Sequence, residues 1–173
     1  LCARTDSIYK SMPGVHVFYA GRDARSFAGD MPVVAHPPCR AWAKLRGLAK
    51  PARWERNLAS MSVAWVRVCG GVLEHPASSL LWAAASLPRP GEGADFFGGY
   101  TLEIKQWWFG HRAEKLTWLY IVGCEHPPPL PYRPGPATHV ISSQIRKGRP
   151  GWRPATTKRE RERQHRQTWP RGC

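Results

Sequence analysis

Acidic residues are scarce in this chain: 12 Asp plus Glu stand against 26 Lys plus Arg, a formal net charge of +14. That balance is unusual for an enzyme acting on small neutral molecules. It points either to a solvated basic surface or to a polyanionic partner, most commonly nucleic acid, whose condensed counterions Lys and Arg displace. Paired cysteines are missing as well. The five cysteines stand at 2, 39, 69, 124 and 173 with no Cys-x-x-Cys and no regular spacing, which supports neither a zinc site nor a disulfide framework. No apolar run approaches the roughly 18 to 20 residues that cross a bilayer. The opening residues carry no signal-peptide pattern, so no membrane partner and a cytoplasmic location are expected. There is no internal repeat.

What is present is enough for a core. Hydrophobic residues make up 42% of the 173, nine tryptophans among them, so the chain as a whole is not disordered. The length suits one domain with a tail. A core over 1–123 is expected, followed at 124–173 by a Pro-rich segment and a basic stretch with almost no apolar face, either a solvated helix or a disordered arm.

The order of elements predicts an α/β fold. Residues 14–19 (Gly-Val-His-Val-Phe-Tyr) read as a strand, and 32–35 (Pro-Val-Val-Ala) as another that must stop at Pro37-Pro38, because proline donates nothing to a ladder. From Pro51 to Cys69 the apolar residues Leu58, Met61, Trp65 and Val68 recur at helical steps, and Gly70-Gly71 ends the helix. Val72-Leu73-Glu74 follows as a short buried strand closed by His75-Pro76. Ser78–Leu87 reads as a helix capped by Ser78 or Ser79, Pro88–Gly99 as a loop, and Tyr100–Phe109 and Leu116–Val122 as two strands. Strand-helix-strand alternation from 33 to 75 argues for a parallel sheet, and such sheets hold ligands beyond the carboxyl ends of their strands. Cys39 and Glu74 both fall at such ends.

Alone, a cysteine after Pro-Pro is usually a small apolar residue packed under a loop. A carboxylate after Val72-Leu73, by contrast, needs partners if it is merely structural. His36 and His75 lie beside prolines but lack a third metal ligand at a recognisable spacing, so no metal site is expected and the two read as loop structure or base contacts. Trp107, Trp108 and Trp118 suit base stacking, yet strand aromatics more often fill a core.

His36-Pro37-Pro38-Cys39 resembles the Pro-Pro-Cys loop of the DNA cytosine-5 methyltransferases, and Leu73-Glu74-His75-Pro76 resembles their Glu-Asn-Val or Glu-Asn-Pro motif. Gln106-Trp107-Trp108-Phe109-Gly110 through Leu119-Tyr120-Ile121-Val122-Gly123 is similar to their Phe-Gly…Gln-x-Arg-x-Arg…Ile-Val-Gly block. The compact versions encoded by phages, with His-Pro-Pro-Cys and a Phe-Gly segment followed by Lys-x-Thr, look closest, and the resemblance covers about residues 15–123. It implies a truncated Rossmann-like methyltransferase core with a mostly parallel sheet and an irregular basic C-terminal tail. It also implies DNA as partner, single-stranded or with a flipped base, and the cytoplasm of a bacterial host.

By the family's chemistry Cys39 adds to carbon 6 of cytosine, because carbon 5 is otherwise a poor nucleophile. Glu74 bonds ring nitrogen 3 and supplies a proton. Lys115 and Thr117 occupy roughly the place of the family's two motif arginines, Lys115 as auxiliary base or phosphate contact. Further contacts to nucleic acid are expected from Arg40, Lys44, Arg46, His75, Arg112, Arg146 and Lys147.

The family's Phe-x-Gly-x-Gly turn for S-adenosylmethionine has no counterpart before Cys39. Either residues 1–4 supply the first strand, with Asp6, Ser7 and also Asp23 at the cofactor, or the donor differs, or the protein binds a base without modifying it. Methylenetetrahydrofolate is the alternative donor, since thymidylate synthase-type enzymes also add a cysteine at carbon 6. The family's separate target-recognition domain has no counterpart here either, so low sequence specificity is expected. A zinc deaminase ranks last, since the Cys-x-x-Cys that would hold the metal is lacking.

Overall fold

A computed structural model describes residues 1–43, 46–47, 49–77, 79–135 and 137. The described residues form two compact units, one within Leu1–Glu103 and Thr117–Pro127, the other of Ile104–Leu116 with the described residues from Pro128.

The protein is α/β. Strand β1 (Val33–Ala35) leads to helix α1 (Arg53–Cys69), strand β2 (Gly71–Pro76), the short helix α2 (Leu81–Ala84), and strands β3 (Tyr100–Lys105) and β4 (Leu116–Val122). Single 3-10 turns lie at Ile8–Ser11, Ala24–Ser26 and Gln106–Phe109. The sheet order is β1-β2-β4-β3. β1 and β2 run parallel with Ala35 opposite Leu73, while β2 and β4 run antiparallel with Leu73 opposite Tyr120. The sheet is therefore mixed with one parallel pair, not mostly parallel. Parallel neighbours need a crossover of about a dozen residues or more, normally a helix, and α1 is the one long helix among the described residues.

Helix α1 starts where Glu55 in its first turn accepts the Ala52 amide at 3.0 Å, and it stops at Gly70, whose φ of 74° other residues resist. Its buried face is Leu58, Ala59, Ser62, Val63 and Val66. The expected stripe through Met61, Trp65 and Val68 is rotated away from this. Val68 is 75% exposed, and Trp65 meets Phe27 edge to face at 5.3 Å. Small residues let the helix sit close to the strands, and the larger Trp65 occupies the flank. Leu73, Ala35, Val33, Tyr120 and Val122 share this core with Trp42, Leu81 and Trp82.

Other expectations shift at their ends. Residues 14–19 form no strand; Tyr19 makes only an isolated bridge to Arg22, and β-forming side chains without a neighbouring strand to pair do not make a ladder. The helix expected over 78–87 shrinks to α2, where Ser79 Oγ accepts the Leu81 amide at 3.1 Å. β2 is longer than expected, and β3 gives way to a 3-10 turn at Gln106. The Pro88–Gly99 loop is tied down by Asp95, which accepts the Phe97 and Gly99 amides, the Tyr120 hydroxyl at 2.8 Å and the Arg67 guanidinium at 3.2 Å.

In the second unit the Gln106 amide donates to the Lys115 carbonyl at 3.0 Å, and Lys105 pairs with Glu114 at 2.6 Å. Arg133 lies 3.8 Å over the ring of Trp107, and Trp108 meets Tyr132 at 5.8 Å. Trp107 is buried there. In the first unit Trp118 packs on Trp82 at 5.3 Å and donates to Glu103 at 2.8 Å. These contacts favour packing over base stacking for Trp107 and Trp118. Residues 128–134 have no regular structure, and the basic tail lies outside the described residues.

Candidate active site

β1 ends at Ala35 beside the middle of β2, which runs on to Pro76, and the two strands carry the expected site residues: Glu74 within β2 and Cys39 in the loop that follows β1. β1 stops at Ala35, so the residues that follow, His36 to Cys39, leave the sheet at its carboxyl edge. In β2 alternation turns Leu73 and His75 into the core and leaves Glu74 on the opposite face, half-buried. The register that sets Ala35 opposite Leu73 carries His36 to Glu74, and the His36 Nδ1 lies 3.3 Å from the Glu74 Oε2.

The register depends on Gly71. A methyl group there would come within 2.0 Å of the Val33 carbonyl oxygen and 2.6 Å of the Val33 nitrogen, and the residue's φ is 119°. Only glycine lets the two backbones approach this closely at that dihedral angle.

Cys39 is half-buried, and two residues that follow it, Arg40 and Trp42, are fastened to α1. Arg40 grips the carboxylate of Glu55 with two nitrogens, Nε to Oε2 at 3.0 Å and Nη2 to Oε1. The Glu55 side chain is 2% exposed, so this charge-assisted pair is anchored in the interior. Two residues after Arg40, Trp42 is buried, its indole N–H donating to the Arg56 carbonyl at 3.2 Å beneath the Arg56 guanidinium. The Cys39 carbonyl accepts the amides of Trp42 at 3.0 Å and Ala43 at 2.7 Å, closing one turn, and the Leu80 amide donates to the Trp42 carbonyl. The cysteine therefore rides on a clamped turn.

Behind Glu74 stands a third residue. The Tyr9 hydroxyl lies 3.3 Å from His36 Nε2, and the two rings stack with centroids 6.0 Å apart. Burial first, and then the negative charge of Glu74, push the Tyr9 hydroxyl above the ordinary tyrosine range. Tyr9 and His36 also line a cavity of about 240 Å³ walled largely by apolar groups, among them Val15, Phe18, Phe27 and Val34. The outer edge of β1 is met by the first residue: the Leu1 amino group donates to the Val34 carbonyl, and the His36 amide donates to the Leu1 carbonyl at 3.1 Å. Burial lowers the Leu1 amino group and raises the Cys2 thiol from their usual ranges.

The expected site residues divide into groups. Cys39 and Glu74 both lie in the first unit, Cys39 four residues beyond the end of β1 and Glu74 within the adjacent β2. Arg40 is taken up by Glu55, while Arg46 is exposed in the following turn. His75 and Thr117 are buried, His75 against Trp82 at 6.4 Å and Thr117 opposite Pro76 in β4. Arg112, exposed, and Lys115, half-buried, belong to the second unit. Lys44, Arg146 and Lys147 lie outside the described residues.

The residues expected at S-adenosylmethionine are each engaged in a local turn. Asp6 binds the Arg4 guanidinium through both oxygens, Ser7 Oγ accepts the Tyr9 amide at 3.3 Å, and Asp23 accepts from the Arg25 amide and side chain. The Arg25 guanidinium holds the Asp23 carboxyl below its usual range. All three serve local turns, and none lines the cavity. Among the described residues no group of three His, Cys, Asp or Glu could hold a metal ion, and no helix is long and apolar enough to cross a membrane.

Two contributors were not singled out from sequence. Glu55, early in α1 after Pro51, carried a signal as a first-turn acid, but nothing marked Arg40 as its partner. Tyr9 carried none. No family model, no curated protein and no solved structure matches the chain.

Proposed function

We propose that this protein modifies carbon 5 of a pyrimidine, cytosine first, in DNA. The Cys39 thiolate adds to carbon 6, and Glu74 hydrogen-bonds ring nitrogen 3 and protonates it as charge develops there. Carbon 5, now enamine-like, attacks an electrophilic one-carbon unit, whose bond to its carrier breaks with the electron pair leaving on the carrier. Its proton then leaves, and expulsion of the thiolate restores the aromatic ring. The target atoms lie inside the base stack, so the base is flipped out or the strand is unpaired, with the chain's +14 charge drawing the phosphates.

One observation carries this reading: β1, which leads into the Cys39 loop, pairs in parallel with β2, which holds Glu74, and His36 between them lies 3.3 Å from Glu74. This supports the reading because α/β sheets bind ligands beyond the carboxyl ends of parallel strands such as β1. The test is trapping on an oligonucleotide carrying 5-fluorocytosine, whose carbon 5 cannot lose a proton. A covalent protein–DNA adduct that disappears in Cys39→Ser is expected. Running the reaction with S-adenosylmethionine and with methylenetetrahydrofolate, followed by mass spectrometry of the nucleosides, identifies the donor.

A second reading has its own support. Asp6, Ser7 and Asp23 are all engaged in local turns, which suits a nucleic-acid-binding module without a donor site. Tight DNA binding with no adduct under either donor selects it.

A further inference from the structure

His36 is the residue that joins the three parts of this region, and the pyrimidine chemistry assigned to Cys39 and Glu74 gives it no task. It closes the β1 end, lines the cavity and uses both ring nitrogens, Nδ1 toward Glu74 and Nε2 toward Tyr9, each at 3.3 Å. Its side chain is 27% exposed and that of Glu74 18%, so water competes only partly for either group.

The donor pattern follows from what each partner can do. An ionised carboxylate only accepts, so the hydrogen between His36 and Glu74 sits on Nδ1. In the neutral ring Nε2 is then the acceptor, and the Tyr9 hydroxyl donates to it. Every hydrogen in the row points toward Glu74. Tyr9 comes from the first 3-10 turn, His36 from the end of β1 and Glu74 from β2, while Leu119, opposite Glu74 on β4, adds no charge. The near-parallel stacking of Tyr9 on His36, 19° between planes, fixes the ring's rotation as well.

We propose that His36 is a positioning residue for Glu74: its Nδ1–H fixes the carboxylate's orientation and stabilises its ionised form, and Tyr9 selects the tautomer that allows this. The proposal rests on the reading of Glu74 as the acid. A carboxylic acid that gives up its proton to a base leaves a carboxylate behind, and a fixed N–H aimed at that anion favours the transfer. Hydrogen bonds to charged groups are strong enough that losing this one slows the step by about tenfold to a hundredfold.

The first measurement is the nitrogen-15 shift pattern of the His36 ring in the full chain near pH 8. The Nδ1–H tautomer is expected, reverting in Glu74→Ala to the Nε2–H form that free imidazoles prefer, with Tyr9→Phe giving a mixture. A wild-type ring in the Nε2–H form overturns the proposal, whatever the protein's activity. The second is the rate of adduct formation on 5-fluorocytosine DNA. His36→Ala is expected to fall by about tenfold to a hundredfold with DNA affinity within about twofold. His36→Asn places an amide N–H near the Nδ1 position and recovers most of the rate; His36→Gln places its amide near Nε2 and does not. Equal rates for Asn, Gln and Ala overturn the positioning role. Absence of any adduct in the wild type beside an Nδ1–H ring overturns the proposed reaction and leaves the His36–Glu74 contact standing.

Discussion

Replacing Gly71 by alanine puts a methyl group into the backbone of the neighbouring strand, and the size of the effect can be worked from two distances. The added carbon would lie 2.0 Å from the Val33 oxygen and 2.6 Å from the Val33 nitrogen, and backbone atoms cannot rotate aside as a flexible side chain does. β1 and β2 must part by more than an ångström, which breaks ladder hydrogen bonds in a pairing only three residues long. Each broken bond costs about 1 kcal/mol, and forcing a side chain to a φ of 119° adds about 1 to 3 kcal/mol. The sum is about 3 to 5 kcal/mol, a large share of the roughly 5 to 15 kcal/mol that holds a domain together. Gly91 supplies the control: its φ is 86°, and an added methyl there meets nothing within 4 Å, so Gly91→Ala carries only the backbone term of about 1 to 2 kcal/mol. Urea unfolding followed by tryptophan fluorescence measures both. If the two variants lose the same stability to within about 0.5 kcal/mol, the close approach of β1 and β2 is not what fixes this register, and the placement of His36 beside Glu74 loses its explanation.

Arg40→Met leaves the Glu55 carboxylate buried with one hydrogen bond from Ala52 and is expected to destabilise by about 2 to 3 kcal/mol, below the usual figure for a broken buried pair because Arg40 itself is largely exposed. A double-mutant cycle with Glu55→Gln checks this, and a coupling under about 0.5 kcal/mol contradicts it. For Asp95, burial pushes its carboxyl up, but bonds from the Tyr120 hydroxyl, the Gly99 and Phe97 amides and Arg67 outweigh that and hold it below the ordinary range. Its contribution is thus fully present above the unfolded value of about 3.9 and is lost as pH falls through the lower folded value. Urea midpoints taken from pH 6 down to pH 2.5 should fall more steeply in the wild type than in Asp95→Asn; parallel curves refute it. Burial drives the Tyr120 hydroxyl up to about 12, so stability present below about pH 10 should decline between there and about pH 12, and Tyr120→Phe should flatten that limb. Removing residues 150–173 takes away seven Lys and Arg against two Glu and should make DNA affinity less steeply dependent on salt; an unchanged slope denies the tail a part in binding.

The chain-level signals that survived folding are those with a local cause. Pro37-Pro38 ends β1 because proline has no N–H, and Gly70 ends α1 because it accepts a positive φ; both effects act within one or two residues. The face of α1 was less legible, since Met61 and Trp65 match the helical period as well as Ala59 and Val63 do, and only the fit against the strands selects the smaller set. The strand reading of 14–19 failed for a similar reason, because a β-forming run says nothing about whether a neighbour is there to pair. In the site, Cys39 could be placed in the loop after β1 and Glu74 on the next strand from sequence, but β2 runs past Glu74 to Pro76, and the contacts around the two residues could not be read. Tyr9 and His36 are 27 positions apart and His36 and Glu74 are 38. Such pairings are set by strand register, which the sequence expresses only through the close packing at Gly71.

The way the Cys39 loop is fastened bears on which of the two functional readings it fits. A short loop at a sheet edge can bind phosphates while remaining adaptable, and basic side chains there serve best with their donors open to solvent. Here the first arginine after the cysteine has its fork turned onto a buried glutamate, and the tryptophan two residues later is sunk into the core. Both contacts spend side chains that could have met DNA, and both fix the backbone just after one half-buried thiol. Holding a reacting group to within a fraction of an ångström is what addition to a ring carbon demands and what phosphate binding does not. Loosening the clamp should therefore separate the two readings. In Arg40→Met, at a temperature where the chain remains folded, a nucleophilic Cys39 loses adduct formation far more than DNA affinity, whereas in a binding module affinity changes alone.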